Sequence, residues 1–280
     1  MTVALFLLLG MGSSVWGQTV ATYSFASGTT GTLNAMTGST QLIGPSLDDT
    51  ASSVTNIGFT FTYAGTAYTQ FSVNVNGLMR LGATAVSGSG TTSYSNSAAN
   101  AASNTPVIMP YWDDLYTGTN GKVHYLLTGT APNRSLIVEW YVTVPRSSTG
   151  TSNAKFQCKL DETTNVITIT YGSGMVANTT NSGASIGLAT SATVYNSVTT
   201  TSNTSSTSTF NTANTSAINS GVYYTFTPPS PCATPSSLPT ALTYGTTTAT
   251  AIAGSFTAAT TAPSGYLVVR STSSTLSAGP

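Results

Sequence analysis

The sequence is poor in ionised side chains. Of its 280 residues, seven are Lys or Arg and seven are Asp or Glu, so 5% are charged, against roughly 25% in an ordinary soluble domain. The basic residues form no cluster, which excludes nucleic-acid binding through phosphate neutralisation and attraction to an anionic membrane surface. Solubility must therefore come from the many hydroxyl and amide groups of Thr, Ser and Asn.

Histidine and cysteine are also scarce. A single histidine, His124, excludes zinc sites built from several histidines, and we interpret it as a surface residue of a strand. Of the two cysteines, Cys158 occupies an inward position in an alternating run and is expected to be a buried thiol. Cys232 lies in a proline-rich stretch. We do not expect these two cysteines to form a disulfide with each other.

Long apolar runs are absent except at the start of the chain. Val3–Leu9 is followed by small residues and by Gly17, a pattern too short to span a bilayer and typical of a secretory signal peptide. The sequence predicts a signal peptide over 1–17, a secreted mature chain, and no membrane insertion after cleavage. No Lys or Arg precedes the run, which leaves a buried helix of the mature domain as the alternative.

What the sequence has in quantity is period-two alternation of apolar and polar residues, the pattern of antiparallel strands with one buried face. It recurs at 59–63, 71–75, 136–144, 166–171 and 222–226. We predict an all-β fold, an antiparallel β-sandwich or jelly roll over 18–227, with no helix of three turns. The stretch 191–220 is the least patterned, and is either a long loop or a weakly specified edge of a sheet.

A change in composition marks a second region. Four prolines between positions 228 and 235 predict a stiff linker over 228–236. The runs 238–244, 249–256 and 266–270 predict three further strands. Three strands leave an open edge and half a core, so 237–280 is expected to be an incomplete domain.

Several motifs resemble known families. Ile57-Gly58-Phe59-Thr60-Phe61, Phe71–Gly77 and Pro110-Tyr111-Trp112-Asp113-Asp114 resemble a module of large secreted proteins of Bacteroidetes-type bacteria, and more loosely the nidogen extracellular domain. The tail resembles the start of a fibronectin type III (Ig-like) domain. The resemblance implies an extracellular β-sandwich without an enzymatic role, followed by fibronectin-like spacers, and export by type IX secretion.

The segment from Tyr111 to Tyr116 holds the candidate binding residues. Tyr111, Trp112 and Tyr116 could form an aromatic platform on which sugar rings stack, although such residues are also the large core residues of a sandwich. Asp113 and Asp114 form the densest carboxylate pair and could bind Ca²⁺. The alternative is that one aspartate caps a turn while the other is solvated.

Two glutamates were considered for catalysis. Glu139 and Glu162 would need to lie roughly 5–10 Å apart across a sugar to act as a glycosidase pair, and nothing in the sequence indicates such a cleft. We expect instead solvated salt bridges to Lys155, Lys159 or Arg134. We assign no catalytic residue and expect the chain not to be an enzyme.

These observations predict a non-enzymatic structural or adhesion module of the cell surface or extracellular space. The alternative is a carbohydrate-binding module that uses the loop around Trp112–Asp114. Expected partners are surface glycans or other extracellular proteins, and the only cofactor considered is Ca²⁺.

Overall fold

The computed structural model describes residues 18–179, 183–230, 240–248 and 252–257. The predicted signal peptide at 1–17, Cys232 and the predicted strand at 266–270 lie outside these residues. The strands are β1 (Ser24–Gly28), β2 (Thr40–Ile43), β3 (Thr55–Tyr63), β4 (Thr66–Val73), β5 (Met79–Leu81), β6 (Val107–Trp112), β7 (Lys122–Thr128), β8 (Ser135–Val142), β9 (Ala154–Asp161), β10 (Ile167–Tyr171), β11 (Ser185–Ala189), β12 (Tyr195–Thr199), β13 (Thr204–Ser206), β14 (Tyr223–Thr227), β15 (Thr240–Thr247) and β16 (Ile252–Thr257). The helices are a 3-10 turn (Val20–Thr22), α1 (Thr91–Tyr94) and α2 (Ala98–Ser103).

Two seven-stranded antiparallel sheets form a sandwich, which confirms the all-β prediction. The first sheet has the order β1-β14-β10-β9-β8-β7-β2, and the second has the order β13-β12-β11-β6-β5-β4-β3. No described helix reaches three turns, as predicted. The weakly patterned stretch 191–220 contributes β12 and β13 at an edge of the second sheet, and from residue 207 onward it belongs to the loop that leads to β14.

The core lies between the two sheets and is rich in aromatic rings. Trp140 stacks on Phe156, with ring centroids 5.2 Å apart and planes 10° from parallel. The polar ends of the buried rings find backbone acceptors, since the Trp140 indole donates to the carbonyl of Asn74 at 2.8 Å and the Tyr171 hydroxyl donates to that of Pro110 at 2.6 Å. Cys158 is a fully buried free thiol in this core, as its alternation indicated.

The central part of the outer face of the second sheet, around β6 and β11, is covered. A second apolar cluster forms on it, beneath α1, α2 and their flanking loops. It contains Leu78, Val86, Ala101, Val107, Met109, Trp112, Ala189 and Tyr195. Because side chains on both faces are covered, every residue of β6 and of β11 is buried, and period-two reasoning fails for these central strands.

The outer face of the first sheet is crossed by residues 29–39, which we call the strap. The strap joins β1 to β2, the two opposite edges of this sheet. It lies close to the strands, because the amide of Gly31 donates to the carbonyl of Gly221 at 2.8 Å. A Cβ atom at Gly172 would lie 2.6 Å from Cδ1 of Leu33, so the Leu33 side chain packs directly over the glycine.

The remaining described strands belong to a separate compact unit. β15 and β16 pair antiparallel in a two-stranded sheet, at the positions of the first two strands predicted for the tail. The fibronectin type III assignment stays a prediction. Among the described residues, no helix has the length and apolar character needed to cross a membrane.

Candidate functional site

The aromatic platform predicted from Tyr111, Trp112 and Tyr116 is not present. Tyr111 is 2% exposed and faces the core between the sheets, whereas Trp112 is fully buried on the opposite face of β6. The Trp112 indole donates to the carbonyl of Ser93 at 2.8 Å. The two rings alternate along one strand whose faces are both covered, so neither can stack on a sugar. Only Tyr116 is partly exposed.

Asp113 is a buried carboxyl group rather than an open ligand. It is 1% exposed, and its two oxygens accept from the Asp114 amide at 2.8 Å and the Asn178 side chain at 2.7 Å. Burial raises the pKa of Asp113 to about 7, against the lowering effect of the Asp114 amide. The burial that raises this pKa comes from the same fold that buries Tyr111 and Trp112.

Asp114 contacts a different set of groups, so the predicted metal pair of Asp113 and Asp114 is wrong. Carboxylate oxygens of Asp48, Asp49 and Asp114 lie within 4.8 Å of one another. Arg146 forms ion pairs with Asp48 and, at 3.0 Å, with Asp114. A guanidinium group therefore already neutralises part of this cluster.

A buried asparagine, Asn76, positions the aspartate loops. The Asn76 amide donates to Asp49 at 2.8 Å and its oxygen accepts from the backbone of Leu115 at 2.8 Å. Gly77 follows with φ +80°, and a Cβ there would lie 1.9 Å from the Tyr111 carbonyl oxygen. The Asn76-Gly77 turn therefore brings the loop at 48–51 against the loop at 113–116.

His124 and Glu139 were predicted on the solvated face of their strands, and this is wrong. They are 3% and 5% exposed, and Nε2 of His124 lies 3.0 Å from Oε1 of Glu139. Both side chains are on the outer face of the first sheet, as their alternation indicated, but the strap covers them. Glu139 also accepts from Gln157 at 2.7 Å.

The strap adds a hydroxyl to this pair. Oγ of Ser39 lies 2.7 Å from Nδ1 of His124, which places a serine, a histidine and a glutamate in a chain. In a serine hydrolase, Nε2 of the histidine faces the serine and Nδ1 faces the carboxylate. Here the ring is reversed, with Nδ1 toward Ser39 and Nε2 toward Glu139.

Glu162 forms the ion pair predicted for it. Its Oε2 accepts from Nε of Arg134 at 2.7 Å, while the same guanidinium donates to the Gly58 carbonyl at 2.7 Å and lies over the Phe59 ring. Glu162 lies opposite Arg134, and Arg134 is five residues from Glu139 along the chain. Five residues of extended strand span about 17 Å, so Glu162 and Glu139 are about that far apart. That separation exceeds the roughly 10 Å limit of a glycosidase pair.

Two clefts in the described part of the sandwich have volumes of about 300 and 370 Å³. The first is lined by Gln18, Thr19, Tyr63, Ala64, Thr66, Tyr68, Thr105, Pro106 and Thr190. The second is lined by Gly38, Thr40, Asn56, Ile57, Gly58, Tyr125, Leu126 and Leu127. Neither cleft has a carboxylate, histidine, cysteine, lysine or arginine among these residues.

Sequence reasoning did not single out Ser39, Arg146, Gln157 or Asn178, and it identified Asn76 only as part of a turn. One signal was available for Arg146. The chain has few basic residues, and the aspartate pairs at 48–49 and 113–114 need a basic residue nearby. The others are uncharged residues that become important only where two segments meet, and no local pattern distinguishes them.

The fold and the covered sites define an antiparallel β-sandwich of two seven-stranded sheets. A model of the NIDO-related family matches residues 22–228, which includes both sheets, the strap and the aspartate loops. The chain belongs to the NIDO-related family. No curated protein and no solved structure gives a significant match to it.

Proposed function

We propose that the chain is a non-enzymatic structural or adhesion module of a larger secreted protein. The observation that supports this most is the lining of the two clefts, which offers hydroxyl, amide and apolar groups but no acid–base pair. General acid–base and nucleophilic catalysis require such groups within hydrogen-bond reach of a substrate. A surface of this kind is suited to contact without chemistry.

The chain of Ser39, His124 and Glu139 is the arrangement that comes nearest to catalysis, and its details favour a structural role. The imidazole ring is reversed relative to a hydrolase triad. His124 and Glu139 are nearly inaccessible to solvent. A substrate would have to displace the strap to reach the base.

Recognition is expected to rely on uncharged contacts. The partners we propose are surface glycans or other extracellular proteins, bound by loops and sheet edges rather than by charge. The described acidic clusters are neutralised internally, by Arg146 for Asp48 and Asp114 and by Arg134 for Glu162. Such binding should depend little on salt, because screening acts on exposed charges. We also propose that the protein is secreted. A type IX route is the specific hypothesis, because the tail resembles the fibronectin type III domains of such secreted proteins.

The experiment that tests this proposal has two arms on the full chain. In the first, a fluorophosphonate probe and a polysaccharide panel test for catalysis, with Ser39→Ala as the matched control. We expect no covalent adduct by intact mass and no release of sugar. An adduct on the original chain that Ser39→Ala abolishes would contradict the non-enzymatic proposal.

The second arm presents the immobilised chain to a glycan array and to a panel of extracellular matrix proteins at 50 and 500 mM NaCl. We expect binding that changes less than about twofold between the two salt concentrations. Binding that disappears at high salt would contradict recognition by uncharged contacts. Absence of any binding partner in both panels would contradict the adhesion role and leave a spacer role.

A further inference from the structure

The strap has little slack. It must cross from one edge of a seven-stranded sheet to the other, a width of roughly 29 Å at the usual strand spacing. Its residues 29–39 reach at most about 36–40 Å when fully extended. Its position is therefore set by the few contacts that hold it against the sheet.

Its central anchor is Asn34. The backbone amide and the side-chain amide of Asn34 both donate to Oε1 of Gln157, at 2.8 and 3.1 Å. Nε2 of Gln157 donates back to the Asn34 carbonyl at 2.9 Å. Gln157 is 1% exposed, so water does not replace these bonds while the strap is in place.

Its second anchor is Ser39, through His124, and both anchors end on the same carboxylate. Oε2 of Glu139 accepts from Gln157 at 2.7 Å, and Oε1 lies 3.0 Å from Nε2 of His124. An ionised carboxylate only accepts hydrogen bonds, so Nε2 carries a proton, while Nδ1 shares a hydrogen bond with the Ser39 hydroxyl. Glu139 is thus the shared end of two hydrogen-bond chains that start on the strap.

The surroundings favour the ionised form of this carboxylate. Burial by itself raises the pKa of Glu139, but the hydrogen bonds from His124 and Gln157 and the charges of His124 and Lys155 lower it below its ordinary value of 4.5. Lys155, on β9, lies over the Tyr141 ring of β8 at 4.7 Å. The nearby strands also carry Lys122 on β7 and Lys159 on β9, whereas the strap and β2 contain no charged residue.

We propose that the strap is an acid-released cover of the first sheet, with Glu139 as the group that releases it. Protonation removes the negative charge of this group, so the hydrogen bonds from Gln157 and His124 that end on it lose their charge assistance and are roughly half as strong. The sign follows from linkage: a carboxylate held ionised in the closed form stabilises that form above its ordinary pKa, and the stabilisation is lost as pH falls through the lowered value. Release therefore begins below about pH 4.5. It uncovers His124, Glu139 and Gln157 together.

Glu139→Gln separates release from general acid unfolding. The carboxamide has the shape of the protonated carboxyl group and does not titrate, so its hydrogen bonds to Gln157 and His124 carry no charge assistance from this side chain at any pH. The strap should therefore be held as weakly in this variant at pH 6.5 as in the original chain at pH 3.0, with no fall between the two.

The test is hydrogen–deuterium exchange with mass spectrometry on the full chain from pH 6.5 to 3.0, corrected for the intrinsic pH dependence of exchange. In the original chain, we expect protection of residues 29–39 to fall by about tenfold or more, the factor contributed by one hydrogen bond to a charged group, while β9 and β10 stay protected. Glu139→Gln should abolish this fall. Glu162→Gln is the matched control, because Glu162 pairs with Arg134 away from the strap, and should retain it.

Protection of 29–39 that is constant with pH in the original chain, or that falls equally in Glu139→Gln, would overturn the proposal. If Glu139→Gln does not fold, Ser39→Ala removes the second anchor, and Gln157→Ala removes the partner of Asn34, whose backbone makes two of the three bonds of the central anchor. These variants should show low protection of the strap already at pH 6.5 and little further change at pH 3.0. Full protection of residues 29–39 in a variant that carries both substitutions would equally contradict the mechanism.

Discussion

The outer faces of the two sheets are covered in opposite ways. On the second sheet, two short helices and their loops cover an apolar cluster that includes Trp112. On the first sheet, an extended strap covers a row of polar side chains that runs from Ser39 to Gln157. Neither cover belongs to the sandwich core, yet both decide which of the candidate residues solvent can reach.

The comparison shows that polar side chains can also be buried on the outer face of a sheet. The apolar cluster is held by the hydrophobic effect, which acts without direction and does not vary with pH. The polar row is held by hydrogen bonds that depend on each partner being present. We therefore expect the second sheet's cover to be permanent and the first sheet's cover to respond to single polar substitutions and to acid.

The largest effect is expected for Trp112→Ala. Removing a fully buried indole from the second sheet's cluster should lower the free energy of unfolding by about 3–5 kcal/mol, since it leaves a cavity and removes the shorter of the two hydrogen bonds to the Ser93 carbonyl. Urea denaturation measures the change. Tyr116→Ala, at a partly exposed ring of the same segment, is the control and should cost much less. Equal losses would indicate that Trp112 lies on the surface.

Gln157→Ala examines the first sheet's cover. The substitution removes the three bonds to Asn34 and one to Glu139. A decrease of about 2–3 kcal/mol is expected, because buried groups on both sides lose partners. Urea denaturation with exchange at 29–39 gives both the global and the local effect. A neutral result would show that the polar row does not hold the strap.

Asp113→Asn tests the buried carboxyl beside Trp112. Its folded pKa of about 7 lies above the ordinary 3.8, so the stabilisation it provides is complete below about pH 4 and is lost as pH rises toward 7. The original chain should lose on the order of 2 kcal/mol between pH 5 and pH 8 from this group, and the variant should lose less. Asp114→Asn, at the partly exposed neighbour, should keep the original pH profile.

Calcium should have the smallest effect. Arg146 already pairs with Asp48 and Asp114, so we expect 5 mM Ca²⁺ to add less than about 0.5 kcal/mol relative to EDTA. That corresponds to about 1–2 °C in melting temperature for a chain of this size. A rise of several degrees that Asp114→Asn abolishes would show a calcium site at the aspartate loops.

The sequence predicted the sheets well because alternation is a local signal. Runs such as 136–144 and 222–226 became strands, and Cys158 and Trp140 point inward as their positions indicated. The same signal misassigned His124 and Glu139, since alternation tells which face a side chain takes but not whether another segment covers that face. The strap did carry one indication: it lacks charge and includes Leu33 and Met36.

The candidate sites were harder to predict because they depend on contacts between distant segments. Adjacency in sequence suggested that Asp113 and Asp114 act together, but neighbouring residues at the end of a strand point in different directions. Asp114 meets Asp48 and Asp49 only because the Asn76-Gly77 turn brings two loops together. Glu162 was predictable, since its partner Arg134 lies across a regular strand pair.

The most direct test of covered outer faces is the accessibility of Trp112 to a quencher. In the full chain with Trp16→Phe and Trp140→Phe, Trp112 is the one tryptophan that remains. Its buried position predicts blue-shifted emission and weak quenching by acrylamide, which rises only on unfolding in urea. Emission and quenching in the folded protein that match the unfolded chain would contradict the account, because they would place the ring in water on an open sheet face.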